Sequence, residues 1–205
     1  MAQLLLRNQI RRLMKKRQLL VEPILDQDHQ LDATGVDIRL DNQFGEFIRI
    51  DEPYLSPANP GKALKFVQKE FFYDTYFLQP GEFALAKSFE YIALPDNVIA
   101  LLNGKSSLGR RGLIVHATAN IVDPGWRGHI VFELVNLGTM PIELFPLMRV
   151  AKLVFLRTNP AEPYRGGFRG QIDIMPPGPD RDAEAIKAYA GRFKRERRKR
   201  PSGTS

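Results

Sequence analysis

Cysteine is absent from the 205-residue chain, which excludes disulfide bonds and any metal site that depends on thiolate ligands. The three histidines, His29, His116 and His129, do not stand at the short spacings of common zinc sites. We therefore expect a protein whose chemistry uses no zinc.

Long apolar runs are missing as well. No stretch approaches the ~20 residues that span a bilayer, so we expect no membrane association. The N-terminus lacks the apolar stretch and small-residue cleavage site of a signal peptide, which favours a cytoplasmic protein. Hydrophobic residues make up 43% of the chain and can supply a core, and 205 residues fit one domain with appendages.

Positive charge is concentrated at one end of the chain. The net charge is +7, but "RFKRERRKR", residues 192–200, carries seven basic residues and one acidic residue. That leaves 23 basic and 22 acidic residues elsewhere. A solvated tail is favoured over a phosphate-binding arm, and the nearly neutral remainder argues against nucleic acid as a partner.

Periodicity predicts one N-terminal helix and a half-buried strand soon after it. Residues 3–20 predict a helix that ends before Pro23, with four apolar side chains on one face: Leu6, Ile10, Leu13 and Met14. The stretch "GVDIRL", residues 35–40, alternates apolar and polar residues as a half-buried strand does.

The middle of the chain has the pattern of a turn-rich β protein. From about residue 70 to residue 157, short β-rich runs are separated by "QPGE", "LPDN", "DPGW" and "LGTMP". No long helix interrupts them, which favours a sandwich or barrel over a parallel sheet. We also expect a Pro-rich loop over residues 51–69, a flexible Gly- and Pro-rich segment over residues 159–180, and a basic helix leading into the tail.

The sequence "GKSSLGR" resembles a phosphate-binding loop without being a Walker motif. A Walker loop needs glycine at the position of Ile99 and a helix afterwards. Lys105 and Arg110, with two serines between them and nearby glycines, can still hold a polyphosphate. An ordinary polar turn between strands explains the same residues equally well.

The run "IVFELVN" places an acid inside an apolar strand. Alternation puts Glu133 on one face with Val131 and Val135, opposite Phe132 and Leu134. A buried carboxylate needs partners, and a paired, desolvated glutamate suits general-base chemistry. The alternative is a glutamate on an edge strand that points to solvent. Arg110 is the nearest candidate partner if both strands face one site.

These residues carry a resemblance to a known family. "GKSSLGRRGLIVHATANIVDPGWRGHIVFELVN", with "ATGVDIRL" and "QPGEFALAKSFEYIALPDNVIALLNGKSS" before it, resembles the dCTP deaminase family of the dUTPase-like superfamily over about residues 4–171. The resemblance implies a mainly β fold, a distorted barrel with an N-terminal helix, assembled as a homotrimer with sites between subunits. It implies a β domain at residues 1–171, followed by a linker, basic helix and tail at residues 172–205.

The resemblance also implies an activity, namely zinc-independent deamination of dCTP to dUTP and ammonia, which supplies dUMP for dTTP synthesis. Mg²⁺ would accompany the substrate triphosphate, and dTTP would be a feedback inhibitor. By position, Glu133 matches the general base, while Arg110 and Ser106 match the other catalytic residues. His116 falls in a family turn, where a satisfied structural role is the preferred interpretation.

The remaining family positions concern substrate binding. Asp123 matches the acid that holds the deoxyribose 3′-hydroxyl, and Ala119 matches the backbone that positions water. The other positions implied to contact substrate belong to the phosphate loop, the base-binding strand and the C-terminal lid: Lys105, Ser107, Leu108, Gly109, Trp126, Val131, Phe132, Tyr164 and Gln171.

The C-terminal segment departs from the family pattern. "PYRGGFRGQ" keeps Tyr164 and Gln171, but Gly167 stands where the family lid has lysine and Phe168 where it has tyrosine. Arg165 or Arg169 could replace the lost cation. Two other functions stay open: a bifunctional enzyme that converts dCTP to dUMP, and a non-catalytic nucleotide-binding relative.

We predict that the basic tail is dispensable for chemistry. Deleting residues 192–205 should leave oligomer formation and dCTP turnover within a few-fold of the full chain, because the deleted charge is solvated. Steady-state kinetics on the truncated protein measure this. A sharp rise in KM with kcat unchanged would instead give the tail a role in substrate binding.

Overall fold

The computed structural model describes residues 2–48, 67–71, 75–118 and 120–175, with residues 67–71 described through their backbone alone. Apart from Ile48 and Val67, these residues belong to one compact unit. No helix within these ranges combines the length and the apolar character needed to cross a membrane. The predicted basic helix and the tail lie outside the described residues.

Short strands dominate the described ranges. The helices are short and few: α1 (Arg7–Lys15), α2 (Gln27–Gln30) and α3 (Ser106–Gly109). The strands in chain order are β1 (Gln3–Leu4), β2 (Leu20–Glu22), β3 (Gly35–Phe47), β4 (Val67–Phe71), β5 (Tyr76–Leu78), β6 (Phe83–Ala93), β7 (Val98–Gly104), β8 (Leu113–Ile114), β9 (Ile121–Val122), β10 (Arg127–Asn136), β11 (Ile142–Leu144) and β12 (Arg149–Arg157).

One curled antiparallel sheet forms the body of the unit. Its strand order is β8-β10-β6-β3-β12-β7-β9, with β1 added to β12, β2 added to β6 and β4 added to β3. A separate two-stranded sheet joins β11 to β5. The sheet curls into a half-barrel, so the predicted mainly β, distorted-barrel fold is confirmed. The four predicted turns all connect strands, as expected.

Alternating side chains of the long strands fill the core. Phe44, Phe132 and Phe155 come from three different strands and are fully buried. Burying one such side chain contributes roughly 1.5–3 kcal/mol. The predicted strand at residues 35–40 is present within β3, and its apolar positions Val36 and Ile38 are fully buried.

The N-terminal helix is shorter than its periodicity predicts. It spans Arg7–Lys15 instead of residues 3–20, because Gln3–Leu4 and Leu20–Glu22 pair with the sheet as strands. Ile10 and Leu13 are buried as predicted, but Leu6 precedes the helix and is 52% exposed.

The helix ends in a Schellman motif rather than at Pro23. Arg17 adopts a φ of 54°, and the Gln18 N–H donates to the Leu13 carbonyl at 3.0 Å. The Arg17 N–H donates to the Met14 carbonyl at 2.9 Å, which closes the last turn. Pro23 therefore follows a strand, because the chain has already left the helix.

The two predicted loop segments, residues 51–69 and 159–180, agree only in part with the structure. The Pro-rich loop expected over residues 51–69 stops before Val67, where β4 begins, and residues 51–66 lie outside the described ranges. Residues 159–175 contain no helix or strand of their own, yet Ile174 is fully buried and its N–H donates to the Gln43 side chain at 2.9 Å. The chain therefore remains packed on β3 beyond residue 171.

Glu90 is a buried acid that the sequence analysis did not single out. Its side chain on β6 is fully buried, accepts a hydrogen bond from the Gln30 amide at 2.6 Å and accepts another from the Arg39 backbone N–H at 2.8 Å. Burial raises the pKa of the Glu90 carboxyl to about 7, because desolvation outweighs these hydrogen bonds.

We predict that Glu90 makes stability fall as pH rises. Between the unfolded pKa near 4.5 and the folded pKa of about 7, the native state binds the extra proton, so raising the pH removes stabilisation. Between pH 5.5 and pH 8.5, this loss should be on the order of 2 kcal/mol in urea denaturation, and Glu90→Gln should abolish it. The exposed control Glu143→Gln should keep the wild-type pH dependence; a Glu90→Gln variant that also keeps it would contradict the assignment.

Candidate active site

The loop after β7 forms one helical turn on the surface. The Lys105 carbonyl accepts hydrogen bonds from the N–H groups of Leu108 and Gly109, both at 3.0 Å. Leu108 is 7% exposed and anchors the turn in the core, whereas Ser106, Ser107 and Arg110 are exposed. The turn thus exposes two hydroxyls and a guanidinium to solvent. The helical turn α3 itself was missed by the sequence analysis.

Lys105 does not extend freely from this loop. Its ammonium lies 2.6 Å from Asp37 Oδ2 on β3, and the Arg149 guanidinium lies 3.2 Å from the same oxygen. The Lys105 side chain is 27% exposed, so it reaches solvent while it is held. Sequence analysis missed this ion pair because 68 residues separate the partners.

Glu133 is held by the turn at residues 117–118. Its Oε2 accepts hydrogen bonds from the backbone N–H groups of Ala117 and Thr118, both at 3.0 Å. The Thr118 hydroxyl lies 3.1 Å from both carboxylate oxygens. These donors fix the orientation of the carboxylate, and Oε1 keeps lone pairs that can accept a hydrogen bond from water.

The strand context removes the alternative of a solvent-facing edge glutamate. β10 pairs with β6 on one side and β8 on the other, and Glu133 is half-buried on the predicted face with Val131. Phe132 lies on the opposite, core face. Arg110 is not the partner of Glu133: among the residues described, no ion pair joins the two, and Thr118 takes that place.

Strand pairing connects the loop at residues 105–112 to the strand that carries Glu133. Leu113 and Ile114 of β8 pair with Asn136 and Val135 of β10, and the Leu137 N–H donates to the Gly112 carbonyl at 2.8 Å. Residues 105–112 are thereby fixed beside the end of β10, the strand that carries Glu133. Ala119, the predicted water-positioning residue, lies outside the described residues.

A second cluster forms around the turn Asp123–Trp126. Asp123 is exposed, and the Trp126 N–H donates to its carbonyl at 3.2 Å. The Tyr164 N–H donates to the Pro124 carbonyl at 2.7 Å, and the Trp126 and Tyr164 rings lie 5.3 Å apart between centroids. The predicted lid tyrosine therefore packs on the predicted ribose-binding turn.

Gln171 is docked at the start of β10. It forms a parallel bridge with Gly128, and its carbonyl accepts the His129 N–H at 2.8 Å. Its side-chain amide donates to the Asp173 carbonyl at 3.1 Å, and the residue is 6% exposed. Gly128 and Glu133 lie roughly 16 Å apart along the strand at about 3.3 Å per residue. Within one chain, Gln171 and Glu133 thus belong to separate clusters.

The remaining lid and turn residues have distinct surroundings. Phe168, Arg165 and Arg169 are exposed. His116 is half-buried, and among the residues that the structure describes its buried Nε2 finds no hydrogen-bond partner. The interpretation of His116 as a satisfied structural histidine stays a prediction.

Comparison with known proteins identifies the family. The sequence model of the dCTP deaminase-like family matches residues 4–158. The chain belongs to this family. The predicted resemblance is therefore confirmed.

Individual members of the dCTP deaminase-like family are similar in sequence to this chain. The chain is 39% identical over 158 residues to "dCTP deaminase, dUMP-forming" of Methanothermobacter thermautotrophicus, covering 76% of this chain and 80% of that protein. It is 41% identical over 159 residues to the protein of the same name from Dictyoglomus turgidum, covering 76% and 81%. It is 40% identical over 165 residues to "dCTP deaminase" of Haloarcula marismortui, covering 78% and 84%.

A solved structure supports the fold of this dCTP deaminase-like chain. The crystal structure of 2′-deoxycytidine 5′-triphosphate deaminase from Agrobacterium tumefaciens superposes with a TM-score of 0.62 at 23% identity. The match covers 76% of this chain and 47% of the other, so the chain spans about half the length of that protein. At this identity the likeness shows the shared fold.

We predict that Gly125 fixes the position of Tyr164. Gly125 has a φ of 71°, and an added Cβ would lie 2.5 Å from Pro163 Cβ, next to Tyr164. Gly125→Ala should lower the free energy of unfolding by about 2–4 kcal/mol, as strain and a clash combine. Gly81→Ala is the matched control, since Gly81 has a φ of 76° with nothing within 4 Å. Equal losses in urea denaturation of both variants would show that packing at Gly125 is not required.

Proposed function

We propose that the chain is a hydrolase that deaminates dCTP and releases dUMP. The observation that carries this proposal is the Glu133 carboxylate, fixed by three donors of one turn beside a loop of hydroxyl and cationic side chains. Relatives at 39% and 41% identity bear the name "dCTP deaminase, dUMP-forming". Because of these names we propose dUMP as the product, in place of the dUTP that the sequence analysis favoured.

Deamination needs a base that moves protons at C4 of cytosine. Glu133 takes a proton from water as the water oxygen bonds to C4, and N3 of the ring gains that proton. The remaining hydroxyl proton then passes through Glu133 to the exocyclic amine, which leaves as ammonia while the C4 carbonyl forms. Arg110 and Ser106 supply donors to the charge that develops on the tetrahedral species. The Thr118 hydroxyl keeps the Glu133 carboxylate in the orientation that this transfer requires.

Release of dUMP adds a second hydrolysis at the same site. Water bonds to the α-phosphorus of the bound dUTP and releases a proton to solvent. The bond from the α-phosphorus to the bridging oxygen breaks, and that oxygen leaves with pyrophosphate. Lys105, Ser107 and Arg110 hold the triphosphate, and Mg²⁺ enters as part of the substrate.

A complete site requires more than one copy of the chain. Glu133 lies towards the C-terminal end of β10, whereas the turn that carries Asp123 precedes the N-terminal end of the same strand, where Trp126 packs on Tyr164. A homotrimer with sites between subunits brings the two clusters of different copies together. Closure over the triphosphate uses Arg165 or Arg169, with dTTP as the competing end product, and we place the enzyme in the cytoplasm.

A second candidate is a deaminase that stops at dUTP. The turn "DPGW", residues 123–126, favours it because the same turn resembles the deaminase-only members. The name "dCTP deaminase" of the relative at 40% identity fits this outcome as well. The two candidates share Glu133 and differ only in whether the triphosphate is cleaved.

Product analysis of the purified full-length protein with dCTP and Mg²⁺ tests the proposal. We expect dUMP, pyrophosphate and ammonia in equal amounts, with activity that survives zinc chelators. Glu133→Gln should lower the rate at least about 10²-fold and leave dCTP binding largely intact, because basicity is lost and shape is kept.

Other product patterns decide among the alternatives. Accumulating dUTP would favour the deaminase-only candidate, and binding without turnover would favour a non-catalytic relative. A Glu133→Gln variant with near wild-type turnover would remove Glu133 from the mechanism. Glu143→Gln, an exposed acid on β11, is the matched control and should keep full activity.

A further inference from the structure

Asp37 is a buried acid to which the proposed chemistry gives no role. It is 3% exposed on β3, the strand that pairs with both β6 and β12. Its Oδ2 accepts from Lys105 at 2.6 Å and from Arg149 at 3.2 Å, while its buried Oδ1 has no hydrogen-bond partner within the described part of the chain. One carboxylate oxygen of Asp37 therefore binds two cationic side chains. One of them, Lys105, is the first residue of the proposed phosphate-binding loop.

The sheet register explains how Asp37 reaches this loop. Asp37 stands opposite Lys152 on β12, and Lys152 stands opposite Asn103 on β7. Lys105 follows Asn103 by two residues, so the long Lys105 side chain crosses β12 and its ammonium reaches the Asp37 carboxylate. The Lys105 N–H also donates to the Val150 carbonyl at 3.0 Å. Lys105 is therefore anchored at both its backbone and its ammonium.

Anchoring Lys105 fixes the start of the loop. Its carbonyl accepts two hydrogen bonds from α3, the helical turn that begins with Ser106. A lysine ammonium has three N–H donors, and Asp37 uses one of them. Two donors stay available on a side chain that is 27% exposed. The arrangement restricts Lys105 without using up its capacity to bind an anion.

We propose that Asp37 is a positioning residue that orients Lys105 for the triphosphate. This inference rests on the proposed function, because it assigns Lys105 to phosphate. A free lysine loses rotamer freedom when it binds, whereas a lysine already held by Asp37 has little left to lose. Arg149, which also donates to the His29 carbonyl at 2.9 Å, balances the charge of Asp37 when Lys105 engages phosphate.

A double-mutant cycle on the full-length protein tests this role. Asp37→Asn should raise KM for dCTP about tenfold with kcat within about twofold, since one oriented charge-assisted hydrogen bond is weakened. Lys105→Gln should do the same, and the double variant should be no worse than Lys105→Gln alone. Asp41→Asn is the matched control, because Asp41 is also on β3 and pairs with Lys87 at 3.0 Å. It should leave KM unchanged.

Several results would overturn the proposal. Additive effects of Asp37→Asn and Lys105→Gln would show that Asp37 acts independently of Lys105. A fall in kcat with KM unchanged, or an equal KM rise in Asp41→Asn, would assign Asp37 to general stability. If Asp37→Asn does not fold, Asp37→Glu carries the test, and its affinity for dCTP should fall while its affinity for deoxycytidine stays the same.

The proposed function can fail separately. If the wild-type protein binds dCTP without deaminating it, the proposed function is wrong. The same double-mutant cycle can then be carried out by measuring the Kd for dCTP of each variant by calorimetry. Coupled losses of dCTP affinity in that case still support Asp37 as the positioning residue. If the wild-type protein does not bind dCTP at all, both proposals are overturned.

Discussion

A carboxylate inside an antiparallel sheet must find donors, because an unpaired buried charge costs several kcal/mol. This constraint organises the chain at three places. Glu133 is met by the backbone and hydroxyl of the turn at residues 117–118, Glu90 by Gln30 and the Arg39 N–H, and Asp37 by Lys105 and Arg149. Each of these pairings binds a loop or a helix to the sheet. The three acids therefore fix the positions of segments that strand pairing alone does not fix.

Elements with a local signal could be predicted from the sequence. Alternation placed Glu133 and Val131 on one face and Phe132 on the other, and the structure shows that the face of Phe132 is the core face. The Gly- and Pro-rich turns fell between strands as expected. The predicted N-terminal helix was too long, because residues beyond both ends of the actual helix also have helical periodicity. Those ends are taken by sheet pairing, and tertiary hydrogen bonds decide such a competition.

Side-chain partners across the sheet could not be predicted. The pairing of Lys105 with Asp37 joins residues 68 positions apart, and it depends on the register of β12 between two other strands. Thr118 was missed for a related reason. Its hydroxyl meets Glu133 only because the chain turns back beside β10 after β8, whereas the charge pattern alone pointed to Arg110.

The pairing of β1 with β12 has a consequence for the order of folding. Gln3 stands opposite Arg157, so the first strand of the chain bonds to the last strand of the sheet. At roughly 5–20 residues per second, a ribosome adds the intervening stretch in about 8–30 s. During that interval β1 lacks the strand with which it pairs, and the Leu5 N–H lacks the Phe155 carbonyl to which it donates at 2.8 Å in the folded protein. The sheet is therefore completed after synthesis has passed β12, and contacts of such long sequence separation make folding slow.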